Sequence, residues 1–294
     1  MKFSEYLLLM INKNKKKQKE MICDLNLKYK KLNSLDEVTF SRWINSKTSP
    51  SLEKQLLIAH YLEKGAIKFI KNIDIPKNKK AVEVAKKDAF MKINNKYHDI
   101  YYSKPLKKEE SLHLIYVNKN MHIPSLEFFY NPSNLHRLLL SHKENSNINI
   151  TVLAIKDKCS FIGHLTLIRK IHNAHLFLKE TNIKPNEDSI LIDFGYFPDE
   201  STFSLLIGHM FAHLMSEKLK NHDVYIMLRG KNFINLLEKL GGILITAIKE
   251  DNYGNIFILK FNFIKLLSEP FILKKVQLCY EHHNELKEKL KIKI

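Results

Sequence analysis

Apolar residues recur at helical spacing from the start of the chain. Phe3, Tyr6, Leu7, Met10 and Ile11 share one face over residues 3–13, and Met21, Ile22 and Leu25 share one over 18–27. A basic break at 12–17 separates the two. The polar, lysine-rich stretch 26–37 then leads to a third short helix over 38–46, with Phe40, Trp43 and Ile44 turned inward. Ser49-Pro50 opens a fourth helix running to about residue 63. Serine is a good cap, and proline suits a first helical position, whose N–H has no intrahelical partner. Leu52, Leu56, Leu57, Ala59 and Leu62 supply its inner face.

Residues 64–110 read as a helical linker. Pro76 and the run 77–80 break the pattern, and 81–97 fits one amphipathic helix with Val84, Ala85, Phe90, Ile93 and Tyr97 on one side. From residue 112 strands alternate with helices. Strands are predicted at 112–117, 150–155, 161–169, 189–195, 223–228, 243–248 and 256–263. Helices are predicted at 125–129, 134–142, 201–219, 231–240 and 276–290. The fold class is therefore α+β and multidomain: an all-α bundle over 1–63, a helical linker over 64–110, and an α/β domain with a mixed sheet over 111–294.

Charge sharpens this division. The formal net charge is +17, and residues 1–110 hold 25 Lys and Arg against 13 Asp and Glu, whereas 111–294 hold 23 against 18. The basic excess lies where a phosphate-facing surface is expected, although a lysine-favouring codon bias produces the same excess. No apolar run reaches the ~18 residues that span a bilayer, and the stretch 7–11 is too short for a signal sequence. The expectation is a cytoplasmic protein without a membrane partner. Cys23, Cys159 and Cys279 show no metal-ligand spacing and read as buried free thiols.

The most informative run is Val38-Thr39-Phe40-Ser41-Arg42-Trp43-Ile44-Asn45-Ser46-Lys47-Thr48-Ser49-Pro50. With Phe40, Trp43 and Ile44 buried, Thr39, Ser41, Arg42 and Asn45 are left to hydrogen-bond base edges in a major groove. Ser46, Lys47 and Thr48 suit phosphate oxygens. Gln18 opens the preceding helix, where its amide can brace a phosphate or the recognition helix. On these residues the segment 3–63 resembles the xenobiotic-response-element, or lambda-repressor-like, helix-turn-helix family. The resemblance implies double-stranded DNA as partner, the helix bearing Thr39 to Asn45 in the major groove, and a homodimer on a pseudo-palindrome. The usual tight turn is replaced by the longer 26–37 segment, which adds Lys28, Lys30 and Lys31 as candidate phosphate contacts.

The run from Val224 to Gly242, ending Glu238-Lys239-Leu240-Gly241-Gly242, resembles the last strand-helix-strand of the GNAT acyltransferase fold, and the upstream element order over 112–263 is similar. That family's members hold a pyrophosphate on a glycine-rich turn and a helix N-terminus. Here the turn reads Pro198-Asp199-Glu200-Ser201-Thr202-Phe203-Ser204, with no glycine and two carboxylates. The family's general-acid tyrosine falls on Leu237, and Asp193 is the one candidate base. No catalytic residue, cofactor or metal is therefore assigned, and the module is expected to sense a small-molecule or protein effector, or to dimerise. The alternatives are an acyl-CoA-dependent acyltransferase fused to a DNA-binding domain and an antitoxin-like interaction protein.

His209 and His213 share a helical face at a zinc-compatible spacing, but Met210 stands where a zincin carries glutamate, so packed or interface histidines are expected. His282 and His283, on a charged terminal helix, are expected in solvent. Ser41 and Ser204 lack a local nucleophile motif.

Overall fold

The computed structural model describes residues 1–63, 66–91, 111–117, 133–140, 148–157, 160–217, 222–251 and 254–291. Helix α1 (Phe3–Asn14), α2 (Gln18–Lys28), α3 (Glu37–Ile44) and α4 (Leu52–Leu62) form the first bundle. Their apolar stripes meet as the spacing demands: Tyr6, Leu7 and Met10 from α1, Met21 and Leu25 from α2, Phe40 and Trp43 from α3, and Leu56 and Ala59 from α4 are buried. The connection between α2 and α3 contains a 3-10 turn, Lys30–Leu32, and inserts Leu32 and Leu35 into the core. The Asn26 side-chain amide donates to the Leu35 carbonyl at 3.0 Å and fixes this connection.

Two local expectations change. Ser51, not Ser49, caps α4: its backbone is extended at φ −58° and ψ 153°, and its Oγ accepts from the Lys54 amide. Pro50 therefore precedes the helix. In the next segment α5 (Ile67–Asn72) and α6 (Lys80–Met91) are helices with buried faces. The inner face of α6 is Val82, Ala85 and Ala89, with Phe90 half-buried, while Val84 is exposed. Val82 leads the i, i+3, i+7 stripe, and two residues of helix turn Val84 about 200° away from it. Ile93 and Tyr97 lie outside the described residues.

The remaining elements are β1 (Ser111–Val117), α7 (Asn134–Leu140), β2 (Asn149–Asp157), β3 (Ser160–Arg169), α8 (His175–Thr181), β4 (Ile190–Tyr196), α9 (Glu200–Glu217), β5 (Asp223–Arg229), α10 (Ile234–Lys239), β6 (Ile243–Asp251), β7 (Gly254–Asn262), α11 (Phe263–Leu267) and α12 (Pro270–Lys291). Neither α8 nor α11 was predicted, and α12 starts six residues before the predicted 276. The predicted helix at 125–129 falls outside the described residues. The strands build one mixed sheet, β1-β2-β3-β4-β5-β7-β6, in which β4 and β5 are parallel and the other neighbours antiparallel. The architecture is α+β. Among the described residues no helix is long and apolar enough to cross a membrane.

Strand alternation gives the sheet two apolar faces. Ile168, Leu191, Tyr225, Met227 and Ile258 pack with Leu135 of α7 and Phe177 of α8. On the other face Leu153, Leu167, Ile192 and Leu259 belong to a cluster that runs through Phe211 and Val276 to Phe69, Trp43 and Phe3. The bundle and the sheet thus share one core. Phe69 meets Tyr6 at 5.0 Å and Phe3 edge-on at 5.9 Å. Gln277 of α12 closes the C-terminus of α5, its Nε2 donating to the carbonyls of Ile70 (2.8 Å) and Ile73 (3.1 Å), and Lys71 pairs with Glu281 at 2.9 Å.

Gln277→Ala removes that amide and leaves α5 carbonyls short of a donor, so urea denaturation of the variant is expected to show a loss of about 1–3 kcal/mol. An unchanged midpoint would show that α5 does not depend on α12.

Candidate nucleic-acid interface

Asp36 starts α3, its Oδ1 accepting from the Thr39 amide at 2.6 Å. Hydrogen bonding from Thr39 holds the Asp36 carboxyl below its usual range. Ten residues later the chain turns at Ser46, which is left-handed at φ 57°, with the Lys47 amide donating to the Arg42 carbonyl at 2.9 Å. Between these ends the buried trio Phe40, Trp43 and Ile44 leaves Arg42 and Asn45 exposed and Thr39 and Ser41 half-buried. Asn45 Nδ2 donates back to the Ser41 carbonyl (2.9 Å) and Oγ (3.2 Å).

Gln18 is the exposed first residue of α2. Its neighbour Lys19 reaches Glu37 at 3.5 Å, which sets the N-termini of α2 and α3 side by side. The α2 end has no side-chain cap, whereas the α3 end is capped by Asp36 and flanked by Glu37. Ser46, Lys47 and Thr48 lie at the other end of α3. With Lys2, Ser4 and Ser49 they line a cleft of about 470 Å³. The Ser46 hydroxyl is engaged there, donating to Ser4 Oγ at 2.7 Å. The eight predicted positions thus fall into two groups, one along α3 with Gln18 and one in the cleft. Of the additional lysines, Lys31 pairs with Glu53 at 2.5 Å and Lys28 lies over the Tyr29 and Tyr61 rings, and both are exposed.

The sheet domain carries its own polar cluster. The parallel pairing of β4 with β5 ends at Asp193 and Met227; beyond it β4 follows β3 to Tyr196 while β5 follows β7 to Arg229, so the two strands part. Asp193 is buried at this fork, 2.6 Å from His136 Nε2, and His136 Nδ1 lies 2.5 Å from Ser133 Oγ. His164 is buried beside them, and burial pushes its pKa down to about 4. Gly195 makes room for it: a Cβ there would stand 2.4 Å from His164 Nε2.

At the mouth of the fork Asp199 caps α9, accepting from the Thr202 amide at 2.7 Å, and Glu200 pairs with Lys86 of α6 at 2.9 Å. Phe90 of α6 packs on Phe203 (5.3 Å) and Phe233 (5.2 Å). The N-terminus of α9 is thus capped by one carboxylate, flanked by another and packed against α6.

His209 and His213 of α9 are buried, and against expectation so is His283 of α12, with ring centroids 5.6 Å from His209 and 5.5 Å from His213. An α12 face packed on α9 overrides the charged character of its sequence. His282 remains exposed, 3.4 Å from His209 Nε2. Among the described residues no three His, Cys, Asp or Glu side chains are grouped to hold a metal. Cys279 is a buried free thiol, whereas Cys23 is exposed, on the outer face of α2; Cys159 lies outside the described residues.

Sequence reading missed Val38, Lys19 and the His136–Asp193 pair. A helical wheel of α3 drawn from its buried trio exposes the first. The other two are contacts between elements that no local spacing encodes. Compared with known proteins, the chain matches no family model and no curated protein.

Acid stability follows from the buried imidazoles. Burial lowers the pKa of His209 to about 3 and of His164 to about 4 from an ordinary 6.5. The unfolded chain therefore takes up protons first, and stability is full above 6.5 and falls through the window down to about 4 and then about 3. Denaturation midpoints are expected to drop between about pH 7 and about pH 5, and His209→Leu should flatten the slope. A pH-independent midpoint would contradict this.

Proposed function

We propose that the chain is a sequence-specific DNA-binding regulator: the 1–63 bundle reads an operator as a helix-turn-helix, and the sheet domain senses an effector or dimerises. The observation that carries this reading is the outward face of α3. It presents Arg42 and Asn45 to solvent, with Gln18 and Lys19 exposed at the adjoining start of α2. A major groove admits one helix, and forked or amide side chains at such positions match base edges. The exposed Lys13 in the last turn of α1, and Lys15 and Lys17 in the turn before α2, suit phosphates.

The strand order with its single parallel pair supports a GNAT-like sheet domain. Asp199, Glu200 and α6 occupy the place a pyrophosphate would need, which favours a binding or assembly role. The shared core gives such a module a route to the reading head, because α12 touches both α5 and α9. One observation favours the acyltransferase alternative: His136 and Asp193 meet at the β4–β5 fork as a candidate general base.

Gel shifts across the protein's own promoter test the DNA reading. Arg42→Ala is expected to weaken binding by about 1–3 kcal/mol, and affinity should fall steeply with salt. Mutant binding equal to wild type would remove α3 from the groove. Calorimetric titration with acetyl-CoA separates the alternative: tight binding with turnover would replace the sensor role.

A further inference from the structure

Three residues of α3 define its core side, and their direction fixes what stands opposite. With about 100° per residue, Phe40, Trp43 and Ile44 centre on one direction, and the ridge pointing away from them is Val38, Arg42 and Asn45, at i, i+4 and i+7. Val38 is 65 % exposed, at the N-terminal end of this ridge. Thr39 lies to one side and is half-buried.

The three ridge residues differ in what they offer. Asn45 has its amide turned back onto Ser41. Arg42 is exposed, and among the described residues its guanidinium has no ion-pair or hydrogen-bond partner. Asp36, on whose carboxyl the Arg42 charge acts, is engaged in the cap, and Glu37 pairs with Lys19. Val38 carries two methyl groups and no polar atom. A single exposed aliphatic residue on a protein surface is ordinary; its place on the ridge that would enter the groove is what gives this one meaning.

Given the DNA reading above, on which this inference rests, we propose that Val38 contacts a thymine methyl while Arg42 reads a neighbouring guanine, so that the duplex taken by this chain holds a T·A and a G·C pair at nearby positions. In the major groove the C5-methyl of thymine is the apolar group a valine can cover, and G O6/N7 is the bidentate acceptor for arginine. The other base edges present donors or acceptors that valine would strip of water without replacing a hydrogen bond. Four residues of helix rise about 6 Å, less than two base-pair steps of about 3.4 Å each, so the two contacts fall on adjacent or next-adjacent pairs.

The test uses the full-length protein. Duplexes are selected from a randomised pool, and each thymine of the selected site is then replaced singly by deoxyuridine, which removes only the methyl group. Wild type should lose about fourfold in affinity at one thymine per half-site, the equivalent of about 0.8 kcal/mol for one buried methylene-sized group. Val38→Ala should bind the thymine and deoxyuridine duplexes equally, and Arg42→Ala should lose its preference for the nearby guanine. A selected site at which no deoxyuridine matters, or a Val38→Ala protein that keeps the preference, overturns this inference and leaves the DNA reading standing. A pool that gives no enriched duplex removes both.

Discussion

Phe40, Trp43 and Ile44 anchor α3 to the bundle, and their burial sets which residues form its outer face. Removing each such side chain from water contributes about 1.5–3 kcal/mol, and Phe40 and Trp43 add an edge-to-face contact at 6.3 Å. With this face fixed, an eight-residue helix has little freedom to rotate, so Val38, Arg42 and Asn45 are held outward. Asp36 and Ser46 define the two ends, one through a cap and the other through a left-handed turn.

The same trio belongs to a core that does not stop at the bundle. Through Phe69, Phe211 and Val276 it joins the apolar face of the sheet, and Gln277 and Glu281 of α12 hold α5 from the outside. A bundle embedded in this way is packed directly on the sheet domain. Ligand or partner binding near α9 or α12 therefore has a mechanical path to α3, which a flexible tether would lack. The buried histidines of α9 and α12 lie at the same junction and tie its stability to pH.

Much of this was legible in the chain. The four bundle helices, the strand-helix alternation and the polar face of α3 follow from spacing, because periodicity records which side each element buries. What was not legible depends on partners distant in sequence. Spacing alone places Val84 inward because α6 has more than one apolar stripe, and only its packing against the sheet domain selects Val82, Ala85 and Ala89. The charged character of its helix places His283 in solvent, yet α9 covers it. The Asp193–His136 contact joins residues 57 positions apart and leaves no local signal. Val38 differs: an aliphatic residue offers a base edge no hydrogen bond, so its type alone does not signal a role, and only its place on the outward ridge does.

The central claim is that the outward ridge of α3 enters a major groove. Methylation interference tests it most directly, because dimethyl sulfate modifies guanine N7 on the groove edge that Arg42 is placed to read. In a selected duplex, methylation of one guanine per half-site should block binding of the wild type and leave the residual binding of Arg42→Ala unaffected. Interference absent from every guanine, or identical in the two proteins, would contradict the account.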